Sequence, residues 1–234
     1  MSQRIKTIDY KSKNAGIQFV DSLKHSGFVI LYNHPLDFNL ITSVYDEWGK
    51  YPENVSRKAL LLYHELMAIG RELLEWIDIH SPEKVKSKFS MPVSEMIANS
   101  RMNLMRIIHY PPCEADITDG AIRAGAHGDI NLITVLPASS HSGLQIQMQT
   151  GEWMDVSCKP EWLVINSGDM LNECSGGYYP STIHRVINPK GDATRLPRYT
   201  MPVFIHPRDE VVLSDDYTAR SFLDERLMEI GLKS

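Results

Sequence analysis

Apolar residues recur at helical spacing through the first hundred residues, then give way to short β-branched runs. In "NAGIQFVDSLKHSG" the apolar positions lie one helical turn apart, and Gly27 supplies a stop. "FVILYN" (28–33) is a short β-rich run. "HPLDFNLITSVYDEWGKYP" reads as a second helix. "PENVSRKALLLYHELMAIGRELLEWIDIHSPE" reads as a long third one, with Pro52 near its start and Pro82 beyond its end. After Asn103 the texture changes. "LMRIIHY", "INLITVL", "GLQIQMQ", "EWMDVS", "WLVIN", "STIHRVI" and "RYTMPVFI" are short runs broken by Gly, Pro, Asn and Ser. Runs of that length and spacing predict a β-sandwich or jelly roll. A last helix is predicted in "TARSFLDERLMEIG". The expected class is therefore α+β: a helical N-terminal region (1–100) packing on an antiparallel β-core (101–234), as one structural unit.

The 234 residues suit one domain with a full core. Net charge is -5, which gives no basic surface for nucleic acid or for an acidic membrane. No apolar run is long enough to predict a transmembrane helix, and "MSQRIKTIDYKSKN" has no signal-peptide core. Cys113, Cys158 and Cys174 are odd in number and form no CxxC. They are expected to be reduced thiols in a cytoplasmic protein, a monomer or weak homo-oligomer.

"AGAHGDINLI" (124–133) puts an imidazole and a carboxylate into a stretch that otherwise reads as a buried strand. On a strand, His127 and Asp129 would share a face and could reach one metal ion. Two ligands are too few, and His184 in "STIHRVI" is the best third candidate. Two His and one carboxylate leave open positions, the arrangement of non-haem Fe(II) oxygenases. A structural zinc site would close its shell with a fourth protein ligand. Taken singly, each residue also fits a structural role, and His141 in "SSHSG" reads as a solvated turn residue. Arg198 and Thr200 in "LPRYTMPVFIHP" are again two apart. An inward Arg needs an anion, because a buried unpaired charge is very costly. A dicarboxylate reaching from the metal to the guanidinium would supply one, and so would an internal bridge to Asp or Glu.

The ordered set "NLMRIIHYPP", "AHGD", "GLQI", "GEWMDV", "NSGDML", "STIHRV" and "PRYTMPVF" resembles the isopenicillin N synthase-like branch of the 2-oxoglutarate/Fe(II)-dependent dioxygenases. The likeness runs from about residue 100 onward, with weaker traces in "IDY" and "GFVILYNH". It implies a double-stranded β-helix (a jelly roll) with flanking N-terminal helices and a C-terminal helix. It implies His127, Asp129 and His184 as ligands of Fe(II). It implies Arg198 and Thr200 for the distal carboxylate of 2-oxoglutarate, with the hydroxyl of Tyr110 beside them. The implied activity consumes O₂ and 2-oxoglutarate and releases succinate and CO₂ while a small metabolite is hydroxylated, desaturated or cyclised. Leu144 and Val186 are expected to wall the cavity. The chain departs from the family in "NHP" (33–35), where "NHG" is usual, in Arg-x-Thr for Arg-x-Ser, and in a shorter N-terminal half. Substrate identity is therefore not carried over.

Three alternatives to that activity are an Fe(II) oxidase that does not use 2-oxoglutarate, a zinc hydrolase, and a non-catalytic jelly-roll binding protein. In "LMRIIHYPP" the alternation puts Arg106, Ile108 and Tyr110 on one face. Arg106, and less directly Arg123, are therefore candidates to bind a small anionic substrate; an internal ion pair is the alternative for Arg106.

Overall fold

The computed structural model describes residues 5–50, 56–112, 121–139, 141–188 and 195–233. The chain opens with strand β1 (Lys6–Asp9), helix α1 (Ala15–Ser26) and strand β2 (Phe28–Tyr32). Helices α2 (Phe38–Lys50) and α3 (Arg57–His80) follow, then the single turns α4 (Glu83–Lys86) and α5 (Val93–Met96). Strands β3 (Leu104–Met105), β4 (Ile108–Tyr110), β5 (Ile122–His127), β6 (Ile133–Pro137), β7 (Leu144–Gln147), β8 (Trp153–Asp155) and β9 (Leu163–Ser167) come next. Helix α6 (Asp169–Cys174), strands β10 (His184–Ile187), β11 (Arg198–Thr200) and β12 (Val203–Ile205), and helix α7 (Ala219–Glu229) complete the fold.

Local chemistry sets the helix ends. Gly27 caps α1 in the left-handed region at φ 66°, where a side chain would be strained, and its N–H returns to the Leu23 carbonyl. The Ser56 side chain accepts from the Ala59 N–H at the start of α3. Pro52, expected near that start, and Cys113 lie outside the described residues. Thr218 and Ser221 form a reciprocal capping box on α7.

Two sheets face each other. One has six strands in the order β1-β2-β9-β6-β12-β3, and the other four in the order β5-β10-β7-β8. Strands β4 and β11 pair beside them, continuing the β3–β12 ribbon in the same register. This is the expected double-stranded β-helix. The inner strands β6 and β9 of the larger sheet are buried on both faces, which explains their largely apolar runs. Val29, Leu31, Val135, Ile165, Val203 and Ile205 point to the helices, where α3 packs. Phe28, Ile30 and Val164 point into the sandwich and meet Ile146 and Val156 of the facing side.

The helices-then-strands expectation needs correction in three places. First, β1 pairs in parallel with β2, and β2 pairs with β9, so the N-terminal region supplies two strands of the core sheet. A four-residue edge strand carries too little alternation to announce itself. Second, the runs "LMRIIHY" and "RYTMPVFI" each break in two. Pro202 has no N–H to give to the ladder, and only its carbonyl bonds across, to the Arg106 N–H. Third, "AGAHGDINLI" is not one strand. β5 ends at His127 in the smaller sheet, and β6 starts at Ile133 in the larger one. Asp129 sits in the connection between the sheets.

Candidate metal and co-substrate site

His127 and His184 are direct partners across the antiparallel β5–β10 pair, with ring centroids 4.4 Å apart. Their Nε2 atoms lie 4.0 and 3.8 Å from Asp129 Oδ1. One ligand atom from each of the three residues falls within 4.8 Å of the others. Thus the expected trio does converge, though by a turn that carries Asp129 back beside the strand, not by strand alternation. Each imidazole uses Nδ1 on a backbone carbonyl, His127 on Gly125 at 2.7 Å and His184 on Thr182 at 3.2 Å. Both Nε2 lone pairs therefore face the shared point. Burial holds His184 below the usual imidazole range, with Asp129 opposing and His127 adding, which favours the neutral ring that can ligate a metal. The His127 side chain is about half exposed, at 49%, which opens the cluster to solvent on one side.

Asp129 is buried and its Oδ2 is already satisfied. It accepts from Thr134 Oγ1 at 2.5 Å and from Asn166 Nδ2 at 2.8 Å. Gly168 makes room for the turn: a Cβ there would stand 2.2 Å from the Asn131 carbonyl and 2.8 Å from that of Asp129.

Strand β11 places Arg198 and Thr200 on one buried face, opposite Tyr110 and Ile108 of β4. Arg198 is 2% exposed. Its Nε donates to the His141 carbonyl at 3.0 Å, and its guanidinium lies 5.2 Å from the Tyr110 ring centre. No carboxylate pairs with it among the described residues. Arg198 Nη1 and Thr200 Oγ1 are buried without a hydrogen-bond partner. Burial raises the Tyr110 hydroxyl pKa, and Arg198 and Arg123 partly offset this. One cavity is lined by His127, Asp129 and His184 and also by Tyr110, Arg198 and Thr200. Leu144 and Val186 wall it as expected. The residues fit the groups expected of them: two imidazoles and a carboxylate suit a divalent iron, and the orphaned donors suit an anion.

Other residues differ from expectation. His141 is only partly exposed, and its carbonyl holds Arg198. Arg106 shares the ribbon face of Ile108 and Tyr110 by register, yet it is exposed. Arg123 bonds Asn188 through Nε and lies 6.0 Å from the Tyr110 ring centre. Sequence reasoning missed Tyr45 of α2, a half-buried phenol close enough to Arg198 to feel its charge. It also missed Thr134 and Asn166. The available signal was a polar residue at an inward position of an otherwise apolar strand.

Fold and site together define a double-stranded β-helix protein with a two-histidine, one-carboxylate cluster beside a buried arginine. Residues 101–207 match the 2OG-Fe(II) oxygenase superfamily. A Shewanella oneidensis structure, provisionally assigned as an oxygenase, is 42% identical, covering 98% of this chain and 99% of that one with a TM-score of 0.90. The chain belongs to the 2OG-Fe(II) oxygenase superfamily. A 2-oxoglutarate-dependent dioxygenase of Monascus ruber, citB, is 44% identical over 87 residues, which is 36% of this chain and 26% of that protein. The match thus spans about a quarter of that curated relative. Neurospora crassa T7H in complex with alpha-KG shares the fold, at 17% identity, a TM-score of 0.78 and 95% coverage of both chains. No helix among the described residues is long and apolar enough to cross a membrane.

Proposed function

We propose that this chain is an oxidoreductase, a non-haem Fe(II) oxygenase that uses O₂ and 2-oxoglutarate to oxidise a small metabolite. The observation that carries this reading is one cavity holding three convergent metal donors together with two buried, unpartnered polar groups, Arg198 Nη1 and Thr200 Oγ1. His127 Nε2, Asp129 Oδ1 and His184 Nε2 would hold Fe(II). Arg198, Thr200 and Tyr110 would take the distal carboxylate of 2-oxoglutarate. Bound there, the iron supplies O₂ activation coupled to decarboxylation of the keto acid, which releases succinate and CO₂.

The protein's own residues bind, orient and exclude water. The Arg198 guanidinium is held through Nε, which leaves its outer nitrogens for a charge-assisted bond to a carboxylate. Thr200 adds a hydroxyl on the same face. Phe28 lies edge-on to the His184 ring at 5.7 Å, and with Leu144 and Val186 it keeps the inner side of the cluster apolar. A zinc hydrolase using the same trio would leave Arg198 and Thr200 without a task, and succinate formation separates the iron oxidase and the non-catalytic binding protein from this reading.

The substrate reading rests on the ribbon. Leu104, Arg106, Ile108 and Tyr110 share one ribbon face, and Pro202 and Phe204 add apolar surface to the cavity. Arg106 is exposed and forms no ion pair among the described residues. This supports a small anionic substrate whose charged end rests on Arg106. Arg123 is the weaker candidate, because Asn188 already engages it.

The test is anaerobic addition of Fe(II) with and without 2-oxoglutarate. A weak visible charge-transfer band that needs both is expected, followed by succinate on admission of O₂. His127→Ala and His184→Ala should lose iron and the band while keeping the fold. Absence of the band and of succinate in the parent would overturn the reading.

A further inference from the structure

We propose that Thr134 and Asn166 are positioning residues that hold Asp129 so that only its Oδ1 is offered to the metal. The inference rests on Asp129 being a metal ligand. Thr134 and Asn166 are direct register partners on β6 and β9, and both project from the larger sheet into the sandwich. They are 2% and 4% exposed, in strands whose other inward residues are apolar. Both donate to the same atom, Asp129 Oδ2.

Donor counting fixes the direction of each bond. A carboxylate only accepts, so Asn166 must present its NH₂. The Thr134 hydroxyl accepts from Asn131 Nδ2 at 2.9 Å, so its single proton is committed to Asp129. Asn131 is fully buried and fixes the other end of the relay.

The consequence is geometric. A free carboxylate turns about its Cβ–Cγ bond and can offer both oxygens. With Oδ2 saturated, rotation is blocked and Oδ1 alone remains opposite the two Nε2 atoms. That keeps the second oxygen from claiming a coordination position that O₂ or the keto acid needs. His127 and His184 stand on the smaller sheet, whereas Thr134 and Asn166 stand on the larger one. The relay therefore sets the third ligand from across the sandwich.

Co(II) is a suitable probe, because its visible absorption reports coordination and needs no turnover. The full chain is compared with Thr134→Val, which keeps the shape and deletes the donor, Thr134→Ser, which restores it, and Asn166→Leu. Thr134→Val and Asn166→Leu should bind Co(II) about 10- to 100-fold more weakly, with an altered visible spectrum. Thr134→Ser should return both readouts to those of the parent. Parent-like affinity and spectrum in Thr134→Val, or equal loss in Thr134→Ser, would overturn the proposal. Should Thr134→Val fail to fold, Asn166→Ser carries the same comparison, and parent-like binding there overturns it equally. A parent that binds no Co(II) would instead overturn the reading of the metal site, and this proposal with it.

Discussion

Replacing Arg198 with Met separates binding from scaffolding, because the two roles predict opposite signs in the ligand-free protein. The guanidinium is 2% exposed, has only neutral partners among the described residues, the His141 carbonyl and the Tyr110 hydroxyl, and leaves Nη1 unsatisfied. Burial lowers its pKa, against the opposing pull of Tyr110 and Tyr45, as expected for a cation held without an anion. Exchanging such a charge for an apolar side chain of similar length is neutral or stabilising, here by about 1–2 kcal/mol. For a chain of this size that raises the melting temperature by roughly 2–8 °C. Losing the charge partner of a desolvated carboxylate weakens binding by about 2–5 kcal/mol, roughly 30-fold to several thousand-fold. Arg198→Met should therefore melt no lower than the parent without ligand, and lack the melting shift that 2-oxoglutarate with Mn(II) is expected to produce in the parent. Arg198→Lys should recover part of the affinity, since it keeps the charge but not the fork. Thermal melts and calorimetric titrations with Mn(II) in place of iron read both quantities without turnover. A lower melting temperature with unchanged 2-oxoglutarate affinity would refute the argument and make Arg198 a structural cation.

Further outcomes follow from the same geometry. Gly168→Ala would force a Cβ against two backbone carbonyls, so a loss of about 1–3 kcal/mol and weaker Co(II) binding are expected; unchanged melting would show that the turn can relax. Tyr179→Phe removes the 2.6 Å bond between Tyr179 Oη and Ser81 Oγ, which should lower stability by about 1 kcal/mol in urea denaturation. Arg106→Met should weaken binding of an anionic substrate while 2-oxoglutarate affinity and melting temperature stay near those of the parent; a large drop in melting with substrate affinity intact would place Arg106 in the scaffold. His34, His184 and His206 are all held below the ordinary imidazole range, chiefly by burial, so their neutral forms are favoured in the fold. The unfolded chain takes protons at these sites below about pH 6.5 and the folded chain does not, so metal-free stability should fall as pH drops through that value toward the lowered ones. A urea midpoint that rises between about pH 7.5 and 5.5 would contradict this.

Much of the site was legible because its chemistry is local in sequence. Arg198 and Thr200 sit two apart on a real strand and point inward together, as alternation requires. His127, Asp129 and His184 were recognisable as a ligand set from residue type and motif order. Their placement was not, since Asp129 reaches the histidines through a turn between two sheets. The helices α1, α3 and α7 were readable from periodicity and caps, which act over one turn of chain. Burial was less so: Arg106 has the alternation of an inward residue, yet it is exposed, and an exposed charge keeps its water.

Hydrophobic periodicity, helix stops and the order of the motifs already carried the fold class and the candidate site residues: His127 and Asp129, like Arg198 and Thr200, stand two apart, and His184 joined the first pair by residue type and motif order. The pairing of β1 and β2 into the core sheet, the double grip on Asp129 Oδ2 and the approach of Tyr45 to Arg198 depend on which strands and helices become neighbours. That choice comes from packing two sheets and a helical layer around shared apolar faces. A polar Thr or Asn within an apolar strand reveals its task only when the facing sheet puts a carboxylate in front of it.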